Sequence, residues 1–174
     1  MQKHNSEIER NNQNSEERIE MNERKAWIFQ SVPKTYNLKD ALADPELQED
    51  VWRIRQYQGE IRNGDFALLW KGGKHDRGIY AVVEIISDPN PMVESERSSR
   101  YWINSSDKLK KEIRVGIRRK LGEDGAPLLL ESKIKTVSGL MSNSFLNGKF
   151  RQGTNFKVTN DEWQIIKQLL NFEI

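Results

Sequence analysis

Few residue types in this 174-residue chain can do covalent chemistry: it has two histidines and no cysteine. The lack of cysteine excludes thiolate nucleophiles, thiolate metal sites and disulfide scaffolds, and fits a reducing cytoplasm. His4 lies in a polar N-terminal stretch and His75 in a charged turn between Lys74 and Asp76. No nucleophile signature accompanies either, so a charged turn explains His75 better than general-base catalysis does. Gly72-Gly73-Lys74 has the look of a phosphate-loop end. Leu68 stands where that motif needs its upstream glycine, however, and His75 stands where it needs a magnesium-holding hydroxyl. Carboxylates such as Asp65 and Glu84 are scattered, and their spacing demands neither a metal nor a nuclease centre.

Aromatic and basic groups remain. The chain has five tryptophans. Trp27 and Trp163 sit in regular apolar patterns and read as core. Trp52 is flanked by Arg53 and Arg55, Trp70 is followed by Lys71 and two glycines, and Trp102 sits in a polar stretch. An aromatic beside cations and glycine suits either core packing or a pocket that stacks a planar base. The formal charge of +2 hides an asymmetry, for residues 100–157 hold 13 Lys/Arg against 5 Asp/Glu. Such a local excess can meet a polyanion, and the cations of 108–120, Lys108, Lys110, Lys111, Arg114, Arg118 and Arg119, are the expected backbone-phosphate contacts.

Elements must hold these groups in place. The stretch 63–86, NGDFALLWKGGKHDRGIYAVVEII, predicts a hairpin: two apolar runs around a charged glycine-bracketed turn, entered through Gly64-Asp65. Both runs are apolar on both faces, so the hairpin is expected at the centre of a sheet covered on each side. Residues 25–30 predict a strand with Trp27 and Phe29 on one face and Ile28 on the other. Asn37 predicts the N-cap of a short helix ending before Pro45, and a second helical piece is expected over Glu46 to about Tyr57, carrying Trp52. Residues 92–108 read as a long polar loop. Glu112–Arg118 alternates, with Ile113, Val115 and Ile117 facing in and Glu112, Arg114 and Arg118 facing out. Leu128–Glu131 can add a short strand. Thr159 with Glu162 is a capping-box pattern that opens an amphipathic helix over 160–171.

The length suits one domain. Residues 1–24 have almost no apolar side chains and read as a disordered or loosely helical arm, leaving 25–174 as the domain. No apolar run approaches the roughly 18 residues of a membrane span, and the N-terminus lacks the apolar region of a signal peptide. The expectation is a cytoplasmic protein of α+β class.

Five segments in order, AWIFQSVPKTYN, VWRIRQY, IRNGDFALLWKGG, GIYAVVEIISDP and GTNFKVTNDEW, resemble an EVE domain, a relative of YTH domains in the PUA-like superfamily. The resemblance runs from about Trp27 to the C-terminus. It implies a curled mixed β-sheet or open barrel flanked by short helices. It also implies a non-catalytic module, without cofactor or metal, that flips a modified nucleobase into an aromatic pocket. Methylated or hydroxymethylated cytosine or methyladenine, in DNA ahead of RNA, is the implied ligand. Carried onto this chain, Gln30, Ser31 and Val32 would contact the base edge, Trp52 and Trp70 would form walls, and Trp102 would close the cage. Several members have Asn where Val32 stands, which leaves the choice of base open. EVE domains commonly accompany modification-dependent restriction systems, so a role in phage defence with a separately encoded nuclease or NTPase is expected. The rival readings are an RNA-binding PUA-like protein acting on tRNA or rRNA, and a hydrolase or nuclease.

Overall fold

The computed structural model describes residues 24–104 and 110–174, together with Gln13. Lys108 and nearly all of the arm expected over 1–24 therefore lie outside the described residues. Among the described residues, eight strands form one mixed sheet that does not close. They are β1 Ala26–Ser31, β2 Glu49–Arg53, β3 Phe66–Lys71, β4 Gly78–Ile85, β5 Asn90–Met92, β6 Glu112–Leu121, β7 Leu129–Leu130 and β8 Asn155–Val158. The main path runs β2-β6-β4-β3-β1-β8, with β5 beside β6 and β7 beside β4. Helices α1 Leu38–Ala43, α2 Glu96–Ser99, α3 Glu131–Ile134 and α4 Asn160–Leu170 decorate it.

The expected hairpin is β3–β4, antiparallel from Phe66↔Glu84 to Lys71↔Gly78, and it lies mid-sheet. Its entry turn is fixed by two residues. Gly64 takes φ +93°, a conformation that costs other residues energy. The buried Asp65 carboxylate then accepts from Trp27 Nε1 at 2.9 Å, from the Arg62 N–H at 3.0 Å and from the Lys25 N–H at 3.1 Å. That carboxylate pins the start of β1 to the start of β3, which run parallel from Ala26↔Phe66 to Ser31↔Lys71. Parallel neighbours need a crossover, and α1 with β2 supplies it.

Because side chains alternate along each strand, the sheet sorts its apolar residues into two cores. Trp27, Phe29, Ala67, Leu69, Val83 and Ile85 enter one, closed by Leu38 and Leu42 of α1. Ala26, Ile28, Phe66, Leu68, Trp70 and Val82 enter the other, closed by Trp163 and Ile166 of α4. Both helices begin as the sequence predicts. Asn37 accepts from the Asp40 N–H, and Thr159 and Glu162 form a complete capping box.

Two expectations are corrected. The piece over Glu46–Tyr57 is not helical: Glu49–Arg53 forms β2, paired antiparallel to β6 from Glu49↔Arg118 to Arg53↔Arg114. Edge pairing with a long strand overrides a weak local helical preference here. The second correction is Trp70, expected as a pocket wall. It is fully buried in the second core, with the Phe145 ring edge-on at 5.1 Å and the Arg151 guanidinium 5.3 Å from its ring centre. Alternation is the reason, since Leu69 takes the first core's face and Trp70 must take the other. Trp70→Ala should therefore cost about 3–5 kcal/mol in equilibrium urea unfolding. A loss below about 1 kcal/mol would contradict its place in the core.

Candidate functional site

Where the first core approaches the end of β1, packing stops and a cavity of about 160 Å³ opens. Three of its walls come from strands. Gln30 and Ser31 end β1, with Val32 just beyond; Asp50, Trp52 and Arg53 come from β2; Arg114 comes from β6. The α2 segment supplies Glu94, Ser98 and Trp102, and the approach to β8 supplies Gly153 and Thr154. Thus Gln30, Ser31, Val32, Trp52 and Trp102 gather around one space, while Trp70 does not reach it.

The aromatic side of the cavity is a chain of rings. Trp52 stacks on Phe29 at 6.2 Å with planes 13° apart, and Tyr36 meets it edge-on at 5.9 Å. Tyr36 also meets Trp102 at 5.4 Å, and an isolated bridge pairs the two backbones. Arg53 lies over the Trp102 ring at 5.7 Å. Both tryptophans are half-buried. Val32, 40% exposed, stands at the mouth.

The polar side is charged and dry. The Arg114 side chain has no exposed surface and that of Glu94 is 2% exposed; Arg114 Nη1 donates to Glu94 Oε2 at 3.0 Å. Trp102 Nε1 donates to the same oxygen at 2.8 Å, and Arg114 Nε donates to the Met92 carbonyl. Asp50 Oδ2 accepts from Ser98 Oγ at 2.8 Å and from the Tyr36 hydroxyl at 3.4 Å. Burial, then the charge of Glu94, pushes the Asp50 carboxyl up to about 7. Burial, then Asp50, pushes the Tyr36 hydroxyl well above its ordinary value, so it stays protonated. Three buried polar atoms of cavity-lining residues lack a hydrogen-bond partner: Ser31 Oγ, Glu94 Oε1 and Arg114 Nη2. Buried polar atoms are rarely left so, and a ligand's polar edge is one thing that completes them.

The expected phosphate contacts separate. Lys110 and Lys111 lead into β6 at the surface. Arg114, expected to face out, is instead buried against Glu94, because its guanidinium is the cation that neutralises this wall. Arg118 is exposed and paired with Glu49 at 2.8 Å. Arg119 is turned inward, donating to the Leu42 carbonyl at 2.8 Å at the end of α1. Burial pulls its pKa down. Arg114 and Arg119 are thus structural cations in the protein alone, and Lys110, Lys111 and Arg118 keep their surface positions.

Tyr36, Asp50, Glu94, Ser98 and Thr154 were missed in the sequence. Reading β2 as a strand would have found Asp50, which stands two residues from Trp52 and so shares its side. Glu94 carried no signal, since its partners lie on other elements.

An open mixed sheet with a few short flanking helices is the EVE/PUA-like fold. The EVE domain model matches residues 25–169, and the chain belongs to that family. No curated protein sequence matches the chain. Among solved structures, human THYN1 in complex with 5-methylcytosine-containing DNA is similar at 17% identity and TM-score 0.57, over 86% of this chain and 99% of that one. A Pseudomonas putida protein is similar at 22% identity and TM-score 0.57, over 83% and 99% of the two chains. A hypothetical protein from Leishmania major is similar at 15% identity and TM-score 0.58, over 86% and 96%. At these identities the likeness establishes the fold.

The Asp50 carboxyl has a stability consequence. Its pKa in the fold, about 7, lies above the unfolded value near 3.8. The folded state therefore holds a proton that the unfolded chain releases. The favourable contribution is complete below about pH 4 and is lost as pH rises through about 7. Asp50→Asn, permanently neutral, should have a higher thermal midpoint than the wild type at about pH 8, with the gap closing towards about pH 4. Parallel midpoints across that range would show that Asp50 ionises freely.

Proposed function

We propose that this chain is a non-catalytic module that binds DNA carrying a modified cytosine and takes that base, extruded from the helix, into the cavity at the end of β1. One observation carries the reading. The cavity has room for a planar ring, a half-buried aromatic side and a buried polar side. Its roughly 160 Å³ compares with the roughly 150 Å³ of an engineered protein cavity that binds benzene. The similarity to THYN1 bound to 5-methylcytosine DNA supports the choice of base and of DNA. In this reading Trp52 and Trp102 stack on or edge the base, Gln30, Ser31 and Val32 border it, and Lys110, Lys111 and Arg118 meet the phosphates.

Gln30 suits a border better than a reader. Its Nε2 already donates to the carbonyls of Arg151 at 3.2 Å and Gly153 at 3.3 Å, which holds that wall in place. In this reading a separately encoded nuclease or NTPase in phage defence would act on the bound DNA. The cytoplasm is the compartment where such DNA is met. No helix among the described residues is long and apolar enough to cross a membrane.

The test is fluorescence anisotropy with matched duplex and RNA oligonucleotides carrying cytosine, 5-methylcytosine or 5-hydroxymethylcytosine at one site. Trp102→Ala and Trp52→Ala should each weaken capture of the extruded base, since stacking returns roughly 1–3 kcal/mol per base, and should remove most of the roughly fourfold preference for the modified duplex, since the 5-substituent would be buried against these rings. Weak salt-sensitive binding to any duplex should survive. Equal affinity for all three bases in the wild type would overturn the reading, and tighter binding of RNA would move it to the RNA rival.

A further inference from the structure

One edge of the cavity is apolar and exposed, and it is built where two segments are tied together. Residues 32–36 turn tightly there, the Thr35 and Tyr36 N–H groups both donating to the Val32 carbonyl, at 2.9 and 3.1 Å. Residues 101–103 run beside them. The Asn37 N–H donates to the Tyr101 carbonyl at 2.8 Å, Tyr36 and Trp102 form an isolated bridge, and the Ile103 N–H donates to the Thr35 carbonyl at 2.9 Å. Val32, Thr35, Tyr36 and Trp102 all line the cavity, so Ile103 stands at its edge. Its side chain is 63% exposed, more than that of any other large apolar residue among the described ones, and Val32 in the same frame is 40% exposed. Apolar side chains scattered singly over a surface are ordinary, whereas these two share one hydrogen-bonded frame at one cavity mouth.

Cations lie outside this edge. Lys34 is exposed between Val32 and Thr35. The β3–β4 turn runs alongside, with the Gly72 N–H donating to the Ser31 carbonyl at 2.8 Å, and carries the exposed Lys74. Towards β8, the exposed Arg55 leaves β2, and its N–H donates to Asn155 Oδ1 at 3.0 Å, next to the cavity-lining Thr154. An apolar edge with cations around it complements a DNA duplex, which carries its bases inside and its phosphates outside.

Resting on the base-binding reading above, we propose that Ile103, with Val32 in the same frame, is a wedge that enters the DNA duplex in the place the extruded cytosine leaves. Swinging a base out of the stack exposes the faces of its two neighbours, and the cost of that unstacking falls on the protein. An aliphatic side chain entering the gap restores apolar contact to those faces and blocks the base's return. The frame suits this task, since backbone hydrogen bonds already fix it and little freedom is lost on insertion. The β-branch of Ile103 adds to that stiffness. The wedge meets the stack and leaves the extruded base to the cavity, so its contribution belongs to the duplex and is absent for a single strand.

The test is fluorescence anisotropy on two substrates: a duplex with one 5-methylcytosine paired to guanine, and the modified strand alone. Ile103→Ala should weaken the duplex about tenfold, the scale of one aliphatic side chain withdrawn from apolar contact, and the single strand less than about twofold. Ile103→Leu, which keeps the volume, should stay within about threefold of the wild type on both. Trp102→Ala should weaken both substrates, because the cavity receives the base in either case. Ile103 is exposed, so the thermal midpoint of Ile103→Ala should match that of the wild type.

Equal losses on duplex and single strand in Ile103→Ala would place Ile103 against the base or the fold and overturn the wedge. Unchanged binding of both would leave Ile103 to a protein contact and overturn it as well. In either case a preference for 5-methylcytosine over cytosine that Trp102→Ala removes would leave the base-binding reading standing. A wild type that shows no such preference on either substrate would remove the reading and the wedge together.

Discussion

A sheet covered on both faces is the constraint from which this structure follows. The apolar residues of β1, β3 and β4 each enter one of two cores, and the two-residue period leaves no freedom over which. The Asp65 carboxylate sets the register by joining the indole of Trp27 to the turn before β3. A one-residue slip between β1 and β3 would exchange the cores and expose that carboxylate's three donors. The second core is complete, with Trp70, Phe145, Phe156 and Trp163 all buried. The first core is not. It ends in Tyr36, Trp52 and Trp102, where the sheet's edge strand β2 curls against the α2 segment, and the cavity is the space that those elements fail to fill.

That incompleteness is built from polar groups which stability alone would not select. Arg114 is buried without exposure, and a buried ion pair stabilises little compared with apolar residues of the same volume, because two charges leave water for it. Asp50 is held where its ordinary ionisation is suppressed. Neighbouring elements contrast with this. Glu131, the buried acid of the second core, is raised by desolvation but held down to about 2 overall by Arg151, Lys135 and Arg77. One acid is over-supplied with cations and is held down; the other is buried beside the charge of Glu94 and is pushed up. Perturbed acids in a cavity are candidates for function, whereas a neutralised one in a packed core is an anchor.

The sequence made the frame legible and the site only half so. The hairpin, β1, both helix caps and the terminal helix can be read from turn chemistry and periodicity, because local rules and the tertiary structure agree there. β2 could not: EDVWR is too short to show a period, and its pairing with β6 lies more than 60 residues away. Mistaking it for helix hid Asp50 beside Trp52. Trp70 shows the opposite failure. The glycines and lysine after it suggested a pocket, yet its place in the alternation with Leu69 already assigned it to the far face. Arg114 reads as an outward cation in a clean alternating strand, and only the fold reveals Glu94 above it. Basic clusters therefore overstate the cations that a polyanion can reach: Arg114 and Arg119 are consumed within the fold.

The division of the cavity into aromatic and ionic sides also fixes what kind of selectivity it can have. A methyl group buried on the aromatic side contributes only about 0.8 kcal/mol, roughly a fourfold preference. In the proposed capture of an extruded base, extrusion from a duplex costs a few kcal/mol, and stacking on Trp52 or Trp102 would return much of it. The margin that remains is small, so under that proposal a 5-substituent would be the increment that tips a nearly balanced capture.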